Sequence, residues 1–223
     1  AYYPFNGDAT DESENGHDGE VKGATLAADR HGKDNSAYSF DGSDDYISVP
    51  DHNDLDLGNG AGKEMTISLW IKDDGNHGTV ISKHTGEGSF NTDYRILCET
   101  HNGFGLVWGT GPAANSGGDN ANAWMVTSTT PPANAWHHVL TTYQNSGSGT
   151  KRVYLNGNLI KQGSIGVKNA ANNSPLKIGT EHNRLFWDGS IDDIRIYDRA
   201  LSAAEVTQLH DLEKPPPAVA PAI

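Results

Sequence analysis

Cysteine is almost absent: Cys98 is the only one in 223 residues, so no intramolecular disulfide can form. Within Arg95-Ile96-Leu97-Cys98-Glu99 it reads as a small buried strand residue, with no neighbour in the sequence to activate it as a nucleophile. Long apolar runs are missing too. None approaches the ~20 residues of a membrane-spanning helix. Basic residues are scarce, 16 against 29 acidic, for a formal net charge of −13. Such a surface repels phosphate backbones and anionic bilayers, so nucleic acid and membrane are not expected partners. There is no phosphate-binding loop, dinucleotide fingerprint or G-x-S-x-G elbow. No heptads and no fixed-period repeat occur, which removes coiled coils, solenoids and propellers.

What is present points to a β protein. Glycine is abundant at 26 residues, and the hydrophobic fraction is 35%. Met65, Ile67, Leu69 and Ile71 alternate with Thr66, Ser68, Trp70 and Lys72, the period-2 pattern of a central strand. Asn156-Gly157 between two apolar runs predicts a tight hairpin. Further strands are predicted at about 2–5, 20–27, 36–41, 45–49, 78–83, 92–99, 103–108, 122–128, 136–143, 152–155, 159–162, 176–179 and 191–196. Ser202 stands three residues before Glu205, the capping-box spacing, and Val206 and Leu209 share a helical face, so a short helix on the surface should follow the last strand. Many short strands and one terminal helix predict an all-β fold, a two-sheet antiparallel sandwich.

Four segments, in order along the chain, sharpen that expectation. They are Ser39 to Pro50 (SFDGSDDYISVP), Thr66 to Lys72 (TISLWIK), Trp136-His137-His138-Val139 followed by Val153-Tyr154-Leu155-Asn156-Gly157, and Gly189 to Ser202 (GSIDDIRIYDRALS). Together they resemble the laminin-G-like, concanavalin A-like jelly-roll domains attached to secreted carbohydrate-active enzymes and adhesins, over nearly the whole chain. The resemblance implies one jelly-roll sandwich over residues 1–212. Residues 213–223, Glu213-Lys214-Pro215-Pro216-Pro217 and onward, read as a proline-rich linker to a covalently attached neighbouring domain. The chain opens at Ala1 without a charged, then apolar, leader, and the expectation is a monomeric module of a secreted or cell-surface protein whose export signal is removed or lies upstream. The resemblance places Trp70 and Trp136 at core positions.

The resemblance also implies a function, the binding of a polysaccharide or other glycan to bring a partner domain to its substrate. Sugar rings pack their CH faces on flat aromatics and offer hydroxyls to planar polar groups. Trp108 and Trp124, which flank the long glycine-rich loop at 109–120, are candidate contacts, as are His182, Asn183, Arg184 and Trp187 around the last loop. A protein-interaction or adhesion module is the alternative. Catalysis is a further one, but the Glu-x-Asp-x-x-Glu strand that glycosidases of this shape resemble one another in is missing, and Tyr94 to Glu99 only faintly echoes the related lyases.

In the same family a structural calcium often bridges the N-terminal acidic loop, the Phe-Asp-Gly turn and the closing strand. Asp8 to Gly19 carries five carboxylates and two glycines, with Glu14 where the family usually has glycine. Carried over by position, the calcium ligands are Asp11, Asn15, Asp18, Asp41 and Asp192, supplying the oxygens a hard cation needs. A transition-metal site is not expected, because the histidines are scattered in loops and the adjacent His137 and His138 point to opposite faces of a strand.

Overall fold

The computed structural model of the chain describes residues 1–57, 63–84, 92–98, 106–109, 124–145, 149–164, 172–181 and 185–216. Fifteen strands and one α-helix are described. They are β1 (Tyr2–Tyr3), β2 (Glu20–Lys22), β3 (Thr25–Ala27), β4 (Ala37–Asp41), β5 (Tyr46–Val49), β6 (Met65–Asp73), β7 (Gly78–His84), β8 (Thr92–Cys98), β9 (Leu106–Gly109), β10 (Trp124–Val126), β11 (Trp136–Gln144), β12 (Thr150–Leu155), β13 (Asn158–Gly163), β14 (Leu176–Ile178), β15 (Asp188–Tyr197) and α1 (Ala203–Glu213). They form an eight-stranded sheet in the order β13-β12-β11-β6-β15-β4-β3, with β1 added beside β15, and a seven-stranded sheet in the order β10-β9-β8-β7-β14-β5-β2. The described pairings within both sheets are antiparallel. This is the jelly-roll sandwich read from the sequence.

One core lies between the sheets. Met65, Ile67, Leu69 and Ile71 of β6 enter it, together with Ile47, Val80, Ile81, Ile96, Leu176 and Ile178 of the opposing sheet. Apolar burial of this extent is the main favourable term in a fold without cross-links. The other face of β6 is buried too, since α1 lies across it: Leu140, Tyr154, Leu201 and Val206 make a second apolar cluster with Tyr197 and Leu209 at its margin. The capping box forms as predicted, with Ser202 Oγ accepting from the Glu205 amide at 3.3 Å and Glu205 Oε2 accepting from the Ser202 amide at 2.8 Å. The helix is therefore a cover for one sheet rather than a surface appendage. It extends to Glu213, whose side chain is buried, so the packed unit includes the first residue assigned to the linker.

Two departures from the predicted strands have physical causes. The single strand expected at 20–27 is two strands, β2 pairing with β5 and β3 with β4 in the other sheet. The chain crosses between sheets at Gly23, whose φ of +79° suits glycine and where a Cβ would run into the Asp45 carboxylate. In β15 the irregular spacing of Ile191, Ile194 and Ile196 is a β-bulge. Asp192 pairs with Trp70 but Arg195 with Ser68, three steps against two, and Asp193 takes φ 48°. The extra residue lets all three isoleucines face the core and moves β15 from its partner β4 to its partner β1. The predicted hairpin at Asn156-Gly157 forms with both residues at positive φ, 50° and 74°.

Candidate functional site

The N-terminal acidic loop is organised by Asp11. Its Oδ1 accepts from the amides of Tyr2 (2.8 Å) and Ser13 (3.0 Å), and its Oδ2 from the amide of His17 (3.1 Å). Burial works to raise this carboxyl, but the hydrogen bonds from Ser13, Tyr2 and His17 outweigh it and hold the pKa at about 2. Asp18 accepts from the Asp11 amide at 2.9 Å, and Asn15 donates to the Ser13 hydroxyl at 2.8 Å. Tyr3 fixes the end of the loop by donating its hydroxyl to the His17 carbonyl at 2.7 Å.

The loop walls one side of a cleft of about 870 Å³ lined by Tyr2, Ser13, Asn15, His17, Asp54, Leu57, Lys63, Glu64, Arg195, Tyr197 and Asp198, among others. Its volume falls within the range of small-molecule sites, and its lining residues combine tyrosines with carboxylates, cations and an amide. Arg195 lies over the Tyr2 ring, 4.1 Å from its centroid, and is anchored behind by Glu213 at 2.8 Å and Asp193 at 3.1 Å. Lys63 donates to the Asp56 carbonyl at 2.8 Å. At the rim, the rings of His17 and His52 lie 4.8 Å apart, beside Asp54.

Behind the cleft, under α1, runs a buried polar layer. Arg30 forms ion pairs with Asp192 at 2.5 Å and Asp193 at 2.9 Å, and lies over Trp70, 5.1 Å from the ring. Trp70 stacks on His138 at 5.1 Å and donates its indole N–H to Glu213 at 3.1 Å. Trp70 is thus buried, as expected, but between sheet and helix rather than between the sheets, while Trp136 is only half-buried.

Several predicted site residues change role. Trp187 is fully buried in the main core, 0% exposed, so it packs there and does not reach a ligand. Asp192 is not free for calcium, because its Oδ2 faces the Arg30 guanidinium, a charge that repels a second cation. Asp11 is likewise occupied by three backbone amides. Asp41 accepts from the Ser43 amide at 2.8 Å, the work of a turn-forming acid. Among the described residues its carboxylate gathers with those of Asp44 and Asp45, not with those of Asp11, Asp18 or Asp192.

Trp108 and Trp124 are described by backbone position. Trp108 stands in register with Ile96 and Met125, both core residues, whereas Trp124 stands opposite Gly109 in the row that continues through Arg95, Ser82, Lys177 and Ser48 across the seven-stranded sheet. His182, Asn183 and Arg184 lie outside the described residues, as do the loop at 110–120 and the end of the proline-rich segment. The cleft itself was missed in the sequence because its walls come from segments far apart along the chain. Cys98 is 1% exposed, and burial pushes its thiol far above the ordinary range, as an inert strand residue requires.

Other proteins share this architecture. Domain 4 of AbnA, a GH43 extracellular arabinanase from Geobacillus stearothermophilus solved in complex with arabinotriose, superposes with a TM-score of 0.67 at 22% identity, covering 94% of this chain and 97% of that one. The binding domain of Paraclostridial Mosquitocidal Protein 1 also gives 0.67, at 24% identity, over 91% of this chain and 49% of that one. The binding domain of botulinum neurotoxin DC, in complex with rat synaptotagmin II, gives 0.60 at 16% identity, over 89% and 48%. In sequence, botulinum neurotoxin type F of Clostridium botulinum is 25% identical over 188 residues, which are 76% of this chain and 13% of the toxin. The chain therefore spans a small part of the curated relative that it matches. A family model described as the concanavalin A-like lectin/glucanases superfamily matches residues 41–207, from the last residue of β4 through the bulged β15 into the capped helix. With two antiparallel sheets, one shared core and that match over most of its length, the chain belongs to the concanavalin A-like lectin/glucanase superfamily.

Proposed function

We propose that this domain is a non-catalytic carbohydrate-binding module of a secreted, multidomain protein, and that it tethers an attached domain to polysaccharide. The observation that carries the reading is the cleft of about 870 Å³, whose lining brings Tyr2 and Tyr197 together with Asn15, Asp54, Glu64, Arg195 and Asp198. Pyranose and furanose rings need that combination of flat apolar surface and planar hydrogen-bonding groups. The arabinotriose bound to domain 4 of the arabinanase supports a neutral oligosaccharide as the first ligand to try. Tethering raises the local concentration of substrate for the attached domain without any chemistry in this one.

Titration calorimetry against a panel of neutral polysaccharides, arabinan included, tests the reading. Binding in the micromolar-to-millimolar range is expected, lost in Tyr197→Ala and retained in Trp124→Ala. The reverse pattern would move the site to the Trp124 end of the seven-stranded sheet. Silence across the panel would favour the adhesion reading, in which the same surface takes a protein receptor, as the neurotoxin DC domain takes synaptotagmin II. Release of reducing ends or unsaturated sugars by this chain alone would overturn the non-catalytic reading.

Calcium is a second part of the proposal, now centred on the β4–β5 turn. The carboxylates of Asp41, Asp44 and Asp45 converge there within 4.8 Å. Burial raises the Asp45 carboxyl, and the charges of Asp41 and Asp44 add to the rise, a repulsion that a hard cation would relieve. Calcium should raise the melting temperature of EGTA-treated protein, and Asp41→Asn should abolish the rise. An unchanged transition removes calcium from the reading.

A further inference from the structure

We propose that His17, His52 and Asp54 bind one divalent transition-metal ion of the zinc class at the rim of the cleft. One ligand atom from each of the three side chains lies within 4.8 Å of the others. Two imidazoles and one carboxylate are a borderline-soft donor set, which suits zinc and its first-row neighbours and not calcium or magnesium, which take oxygen. The site shares Asp54 and the cleft with the glycan reading but relies on different chemistry, and a zinc titration without glycan tests it separately.

The three side chains come from two unlike supports. His17 is held by its backbone, its amide on Asp11 and its carbonyl under the Tyr3 hydroxyl, and its side chain is nearly buried, 5% exposed. Among the described residues neither of its ring nitrogens takes a hydrogen bond, although the ring lines the cleft. Those nitrogens are not sealed from the cleft, so they are open to an incoming ion.

His52 caps the 3-10 turn Asn53–Leu55 and Asp54 lies within it; the turn is tied down by Leu55 in the core at 1% exposure. The His52 and Asp54 side chains are exposed, 54% and 67%; His52 Nδ1 accepts from the Asp54 amide at 3.2 Å and lies 3.3 Å from Asp54 Oδ2, which leaves His52 Nε2 and the Asp54 carboxylate to meet an ion held at about 2.0–2.2 Å from each donor. The site thus has one fixed ligand and two adaptable ones. His17 and Asp54 both line the cleft, which provides an entry path and room for water at the remaining coordination position.

The test uses the full chain, stripped with chelator and titrated with zinc chloride in a calorimeter. One equivalent of zinc is expected to bind saturably, with His52→Ala and Asp54→Asn each weakening the affinity at least tenfold. Cobalt(II) in place of zinc should give the visible absorption of a four-coordinate site, absent in His52→Ala. Both substitutions fall on exposed side chains, and far-UV circular dichroism identical to the parent will show that the fold is kept. The proposal is overturned if zinc binds without saturation, if the variants bind it as tightly as the parent, or if calcium competes on equal terms.

Discussion

At the scale of single residues, burial decides what a side chain is for. Trp187 has the chemistry of a sugar platform, but its backbone is pinned on both sides, the amide on Gly179 and the carbonyl under Gly42, and its ring fills the core. Trp187→Ala should therefore cost about 3–5 kcal/mol of stability in chemical denaturation. At a temperature where the variant remains folded, its glycan affinity should match that of the parent. A selective loss of affinity with stability intact would return Trp187 to the binding surface. Asp11 makes the same point for acids. In the sequence it is one of five carboxylates in a loop and looks like a cation ligand, yet three amide donors already use its oxygens. Residue type alone cannot distinguish these roles, because the partner of a carboxylate is a matter of backbone direction.

At the scale of elements, α1 and the sheet beneath it enclose a layer that responds to pH. His138 is fully buried, its ring against those of both Trp70 and His210, with Nε2 at 2.7 Å from the Ser68 hydroxyl. Burial lowers its pKa from 6.5 to about 3, with His210, Arg30 and Arg195 acting in the same direction. A base whose folded pKa is depressed stabilises the native state fully above its unfolded pKa, and the contribution is lost as the pH falls from 6.5 toward 3. Between pH 7 and pH 4 this one group should remove about 3 kcal/mol of stability. Urea denaturation of the parent and of His138→Gln at both pH values checks this, and the variant should show the smaller loss. Equal losses would mean that other groups govern the acid limb. The alternation Thr66, Ser68, Trp70 was legible as one face of a strand, but not that a helix would cover that face.

At the scale of the whole molecule, the two sheets share a single core to which strands from both contribute, and the chain passes repeatedly between them. Neither sheet can lose its partner without exposing the same apolar surface. Unfolding followed by tryptophan fluorescence and by far-UV circular dichroism should therefore give coincident transitions in urea. Separate midpoints would show that one sheet opens first. The same crossing of the chain builds the cleft, since the N-terminal loop, the 3-10 turn and the end of β15 meet there.

By itself the sequence determined the class of fold, the central strand, the hairpin at Asn156-Gly157 and the capped helix, because each is written in local periodicity or turn chemistry. It also carried the family signature, whose isoleucine spacing makes sense once β15 is seen to bulge. Only the tertiary structure decided that Trp187 and Asp192 are interior groups, that Gly23 divides one expected strand between two sheets, and that His17 and His52 are neighbours. Those facts depend on which distant segments pack together, and long-range contacts leave no periodic trace along a chain.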